Sequence, residues 1–315
     1  MPITLTSDAL EATITPERGA DIVQVVDLAT GTPLLAESPT GRVNAGSVPA
    51  TDSMARWLHG YPGGWQLLVP NAGPEREHGG ARQGYHGKAS LAVWDVIAQD
   101  AASCELETHL MTAPLRIRRS VTVTGDALTV TDVLSNLSPD PVQTRIVQHP
   151  AFGTPFLDDE SYVLTSAATI VTDAAAPGTL ADADVTGRPD EVLPRGPVPG
   201  SIRLPGPGSA SSLFAALTDF AAPEATFCSP ARGFAVRLAW DLTVLPHAWM
   251  WIEANASTGW PWFRRLYAVA IEPANVIPGE GDAVRRRRGG PGTEIAGGES
   301  LTLTTSIQRL ALPAV

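Results

Sequence analysis

The feature that most limits how this chain can fold is a run of period-two alternation near its middle. Residues 117–124, Ile-Arg-Arg-Ser-Val-Thr-Val-Thr, lead through Gly125-Asp126 into Leu-Thr-Val-Thr-Asp-Val-Leu at 128–134. A period of two with β-branched residues on one side predicts a half-buried strand, and a Gly-Asp step between two such runs predicts an antiparallel hairpin. Residues 105–111 and 142–148 extend the meander, residues 20–28 repeat the pattern before the turn at Gly31-Thr32-Pro33, and 301–307 repeat it after Gly297-Gly298. Sustained helical periodicity is scarce. Many strands punctuated by 29 Gly and 28 Pro point to an all-β sandwich or barrel rather than a parallel α/β fold. Twisted sheets of that size curl, and the concave face so made can hold a ligand.

No fixed-period repeat or linker divides the chain, so residues 1–315 are expected to form one domain. Two segments interrupt the strands. Residues 174–212, rich in Ala, Pro, Gly and Asp, are expected to be a long surface excursion, either disordered or a lid over a site. Residues 279–298, with Arg285 to Arg288, are the second; a block of like charge in a Gly-rich loop is expected to be solvated, and would favour an acidic ligand only if folded over a cleft. A formal net charge of −11 argues against a nucleic-acid partner, since such binding draws on basic groups that neutralise phosphates. Cys104 and Cys228 lie far apart and outside any CxxC pattern, which suits two reduced thiols and no thiolate metal site. With no apolar run of bilayer length and no secretory pattern at Met1–Ser7, the expectation is a cytoplasmic protein without a membrane partner. No oligomeric state is readable.

Four stretches place titratable side chains among aromatic ones at strand ends. They are Gly63-Gly64-Trp65-Gln66 through Pro70-Asn71-Ala72-Gly73; Tyr85-His86-Gly87-Lys88 leading to Trp94; Gln148-His149-Pro150-Ala151-Phe152-Gly153; and His247-Ala248-Trp249-Met250-Trp251-Ile252-Glu253, closed by Ile271-Glu272-Pro273. Each alone has a structural explanation: a His beside Gly or Pro, a Glu capping a strand, two Trp on one core-facing side. In this order, across roughly residues 10–310, the set resembles the galactose mutarotase-like (aldose 1-epimerase) superfamily.

The resemblance implies a β-supersandwich of large twisted antiparallel sheets whose concave face binds a free sugar, and an isomerase that interconverts anomers at C1 without a cofactor or metal. By similarity, Glu272 takes the proton from the anomeric hydroxyl, His149 protonates the ring oxygen, and His86 helps to hold that oxygen. The chemistry suits these residue types, because opening a hemiacetal removes a proton from O1 and adds one to O5, work that a carboxylate and an imidazole perform near neutral pH. Trp65, Trp94, Trp249 and Trp251 offer surfaces for the apolar side of a sugar ring, Glu253 shares a strand face with Trp251, and His59 lies near the Gly-Gly-Trp stretch.

One departure bears on substrate. Many mutarotases carry Asn-Arg after the proline; here Asn71 precedes Ala72-Gly73-Pro74, leaving Arg76 or Arg82 to supply the guanidinium or to be solvated loop residues. Asp158 and Asp159 are the candidates for a hydroxyl-binding aspartate. Two other readings stay open: a non-catalytic carbohydrate-binding module on the same scaffold, and a lyase or hydrolase acting on a modified sugar.

Overall fold

A computed structural model describes residues 1–40, 52–278 and 292–313. The principal strands are β1 (Ile3–Thr6), β2 (Leu10–Thr15), β3 (Asp21–Asp27), β4 (Trp65–Leu68), β5 (Asp95–Gln99), β6 (Ser103–His109), β7 (Leu115–Thr124) and β8 (Ala127–Asn136). They continue as β9 (Val147–Phe152), β10 (Tyr162–Thr172), β11 (Ser211–Ser229), β12 (Phe234–Trp240), β13 (His247–Ala254), β14 (Tyr267–Ala274) and β15 (Ser300–Ala311). A helix, α1 (Ser53–Gly60), starts where the Asp52 side chain accepts from the Ala55 N–H at 2.7 Å.

Neighbour pairing runs β1-β2-β3-β4-β9-β14-β13-β11-β10 in one layer, all antiparallel. The other layer runs β11-β12-β15-β8-β7-β6-β5. Strand β11, 19 residues long, belongs to both: its first half pairs with β13 and its second with β12. The hairpin read from 117–134 is β7–β8, in register from Leu115 opposite Asn136 to Thr124 opposite Ala127.

The layers share a core of alternate residues, among them Ile117, Val121, Val130, Phe152, Met250 and Ile271. A polar chain is buried in it. Arg119 donates to both Asp132 oxygens (2.7 and 3.0 Å), Gln148 donates to Asp132 (2.7 Å), and the Trp65 indole donates to Gln148 (2.7 Å). Trp65 therefore belongs to the core. It was expected to face sugar, but all four residues of β4 are buried, so alternation cannot reveal its outward side. Trp94 is likewise in the core, donating to the Ala89 carbonyl at 3.2 Å.

The segment 174–212 is a largely exposed excursion, as expected, that is ordered and borders the cavity through residues 175–179. It contains a short helix at Pro189–Val192 and a strand at Ser201–Arg203, and Gly178 bridges to Leu213 on β11. Of the segment 279–298, residues 279–291, with Arg285 to Arg288, lie outside the described residues. Cys104 and Cys228 are buried free thiols. No helix among the described residues is long and apolar enough to cross a membrane.

Candidate active site

Strands β9, β14, β13 and β11 are two-sided. On β14, Tyr267, Val269 and Ile271 enter the shared core, while Ala268, Ala270 and Ala274 join a second cluster on the outer, concave face. Glu272 has the parity of the second set. Val147 pairs with Ala274 and Ala151 with Ala270, which places His149 opposite Glu272; Trp249 faces Glu272 from the other side. Three neighbouring strands thus line up an imidazole, a carboxylate and an indole in one row across the sheet. The His149 Nε2–Glu272 Oε1 distance is 3.4 Å.

His86 reaches this row from a loop. It has φ of +56° and is followed by Gly87 at +74°, a left-handed pair that turns the chain under Val69. A Cβ on Gly87 would lie 2.5 Å from the Val69 carbonyl oxygen, so the close approach requires glycine. The Gly73 N–H donates to His86 Nδ1 (3.1 Å), which leaves the proton on Nε2. The His86 and His149 rings are 6.1 Å apart.

These groups face a cavity of about 1000 Å³, at the upper end of the range for small-molecule sites. Trp57, Tyr85, Trp249, Trp251 and Trp262 give it an aromatic wall. Tyr61, whose ring lies 5.7 Å from that of His149 and 6.2 Å from that of Trp251, packs behind them with its buried hydroxyl unpartnered. Sequence reasoning passed over Trp57 and Tyr61. Their i, i+4 spacing, which stacks them at 5.0 Å on one side of the helix, was the available signal.

Burial governs the electrostatics. It holds Glu272 well above the usual carboxylate range and His149 down at about 4; His86 is held well below the usual range by burial and then by His149. Tyr61 is pushed well up by burial, then by Glu272 and Asp21, and Tyr85 to about 12 by burial and Glu272. Each member of the His149–Glu272 pair is driven toward its neutral form. The neutral pair and the ion pair hold the same total, one proton between two groups, and differ only in which atom carries it.

Several expected binding residues have other positions. Arg76, Trp251 and Glu253 line the cavity. Glu253 is committed to a turn, accepting from the Ala256 and Ser257 N–H groups and the Ser257 hydroxyl (2.6, 3.0 and 2.6 Å). Asn71 is buried and does not line the cavity; its amide donates to Pro74 and Gly84 (2.9 Å each) and its oxygen accepts from Arg76 Nε (2.9 Å). Arg82 is exposed and paired with Glu75 at 2.6 Å. His59, two residues after Trp57 and so about 200° round the helix, packs 5.6 Å from Trp260 instead of facing the cavity. Asp158 is held in a turn by Ser161 and does not line the cavity, nor does Asp159. Arg145 and residues 175–179 line it. Among the described residues, no group of three or more His, Cys, Asp or Glu is arranged to hold a metal ion.

A family model described as "Domain of unknown function (DUF4432)" matches residues 2–308. The chain belongs to that family. No curated protein is significantly similar to it in sequence. Among solved structures, the Slr1438 protein from Synechocystis sp. PCC 6803 is similar over 99% of this chain and 96% of its own, at 18% identity and a TM-score of 0.71. A galactose mutarotase-like protein from Lactobacillus casei ATCC 334 matches over 98% and 100%, at 17% and 0.67. One from Clostridium acetobutylicum matches over 99% and 95%, at 16% and 0.68. This member of the DUF4432 family has the galactose mutarotase-like fold.

Proposed function

We infer that the chain is a mutarotase, accelerating the exchange of α and β anomers of an aldose. The observation that carries this is the convergence of His86, His149 and Glu272, from three separate segments, in one aromatic-walled cavity. In the ring-opening direction, starting from the arrangement in which the shared proton sits on His149, Glu272 takes the proton from the anomeric hydroxyl, the C1–O5 bond breaks as the C1=O1 bond forms, and His149 gives its proton to O5. His86, donating from Nε2, helps to hold the ring oxygen. Rotation about C1–C2 presents the other face of the aldehyde. Reclosure then returns one proton to His149 and the other to O1.

The shared proton explains why the pair suits this reaction. A sugar whose O1 and O5 lie against the two groups lets that proton cross through the substrate instead of directly, and the pair ends each cycle as it began. Burial keeps both groups away from the fully ionised or fully protonated extremes, where one transfer would have no donor or no acceptor. The galactose mutarotase-like fold of the relatives supports the reading.

Replacing Glu272 by Gln keeps the shape of the side chain and removes the base. Anomer exchange, followed by saturation-transfer NMR across a panel of aldoses, should fall at least ~100-fold while the melting transition persists. Wild-type exchange in a folded variant would remove Glu272 from the mechanism; no exchange by the wild-type protein on any aldose would favour a binding module.

A further inference from the structure

On the side of His149 away from Glu272, the sheet carries two more polar side chains that the anomeric chemistry does not use. Strand β9 lies between β14 and β4, so His149 has Glu272 opposite it on one side and Gln66 on the other. Directly opposite residues of an antiparallel pair share a face, with Cβ atoms about 4.5–5.5 Å apart. One strand further, Ile22 on β3 is opposite Trp65, which places Asp21 beside Gln66. The Gln66 amide donates from Nε2 to Asp21 Oδ2 at 2.8 Å. Asp21, Gln66, His149 and Glu272 therefore form one file across four strands, and all four are buried.

The bond to Asp21 settles which way the Gln66 amide is turned. Its NH2 end is taken, and Oε1 is left as the free end. Gln66 Oε1 and His149 Nδ1 are both buried without a hydrogen-bond partner among the described residues. One is an acceptor, and the other is a nitrogen able to carry a proton. The two nitrogens of an imidazole point away from each other across the ring, and Nε2 is the one on Glu272, at 3.4 Å. Nδ1 is thus the nitrogen left for Gln66. A buried donor and a buried acceptor on facing residues are costly apart, and side-chain rotation alone joins them.

We propose that Gln66, turned by Asp21, is the positioning residue of His149: its amide oxygen accepts from Nδ1–H, holds that proton throughout the cycle and leaves Nε2 as the working nitrogen. The consequence for the chemistry is direct. A ring whose only proton sat on Nε2 would become an imidazolate on giving it to O5, whereas a ring that keeps Nδ1–H gives up the Nε2 proton and stays neutral. The use made of Nε2 rests on the mutarotase reading; the tautomer does not.

The test is nitrogen-15 NMR of the full chain labelled at its histidines, reading which ring nitrogen of His149 carries the proton near neutral pH, with anomer exchange measured in parallel. His149→Gln identifies the His149 signals by their loss. Wild-type His149 should be the Nδ1–H tautomer. Gln66→Met keeps the bulk without the acceptor; it should shift His149 toward the Nε2–H tautomer and lower kcat about 10- to 100-fold, with KM nearly unchanged. Tyr61→Phe, which removes the buried hydroxyl of the ring packed against His149, should leave the tautomer as it is. Wild-type His149 protonated on Nε2 alone, a folded Gln66→Met that retains the Nδ1–H tautomer, or a Tyr61→Phe that loses it would overturn the proposal. If Gln66→Met does not fold, a crystal structure of the wild-type protein decides: Nδ1 within about 3.2 Å of Gln66 Oε1 supports the proposal, and Nδ1 on another acceptor ends it. A tautomer set by Gln66 without anomer exchange keeps the positioning role and removes mutarotation, whereas exchange with a tautomer indifferent to Gln66→Met does the reverse.

Discussion

Arg119→Met tests the packing behind the site. The Arg119 and Asp132 side chains are wholly excluded from solvent, with Nε and Nη2 on the two carboxylate oxygens and Nη1 on the Ala20 carbonyl at 3.1 Å. Asp132 also accepts from Gln148, the residue beside His149. Methionine fills much of the volume but leaves Asp132 as a buried charge with one amide donor. Stranding one member of such a pair costs about 3–5 kcal/mol. At roughly 2 °C per kcal/mol for a chain of this size, that is a fall in Tm of about 6–10 °C. Arg119→Met with Asp132→Leu removes the stranded charge and leaves the Gln148 donor unmatched, at about 1–3 kcal/mol, besides the Ala20 carbonyl that both variants deprive of its donor. The double variant should therefore melt above the single. Thermal melting by circular dichroism, with urea titration for free energies, reads both. A double variant as unstable as the sum of the two singles would refute the claim that the cost lies in the isolated carboxylate.

Three further outcomes follow from the same structure. The rate of anomer exchange should be bell-shaped in pH: below about 4 the pair gains a second proton at His149 and loses its acceptor, and above the raised Glu272 pKa it loses its last proton and its donor; a flat profile across both limbs would contradict the shared-proton account. Asp21, buried with its carboxyl raised to about 7 by burial, contributes stability below its unfolded pKa that is lost as pH rises through about 7, so Asp21→Asn should flatten the decline of Tm between pH 4 and pH 8, and an unchanged slope would count against it. Gly87→Ala puts a Cβ 2.5 Å from the Val69 oxygen and 2.7 Å from the Asn71 oxygen at a φ of +74°, so it should cost about 1–3 kcal/mol and displace His86, seen as lost sugar binding as well as a lower Tm; unaltered binding would show that the turn does not position His86.

Alternation made the fold legible because most strands bury one side only: β7 and β8 carry their hydrophobic residues at every second position, and the hairpin followed directly. The catalytic candidates were legible by resemblance and by chemistry, and β9 and β14 bring His149 and Glu272 face to face. Where both sides are buried the pattern carries no direction, which is why Trp65 was misplaced. Asn71 failed for another reason: an amide flanked by turn residues has backbone partners nearby, and here it serves Arg76. Arg145 could have been found, since it lies within the run read at 142–148 and shares the parity of His149, but a lone arginine near a strand start announces no particular chemistry. Tyr61 announces no chemistry in one dimension; its proximity to Glu272 is a product of the helix end meeting the sheet.

The division of labour along β9, β13 and β14 has a consequence for how such proteins diversify. Positions 148, 250, 269 and 271 face the inter-layer interior, while their immediate neighbours 149, 249, 251 and 272 line the cavity and Ala151 and Ala270 pack in the second cluster on that same side. Substituting Trp251, which lines the chamber, reshapes it without disturbing the packing on the reverse of the ribbon. Selectivity and foldedness are written on opposite sides of the same few strands, and each can drift while the other is held.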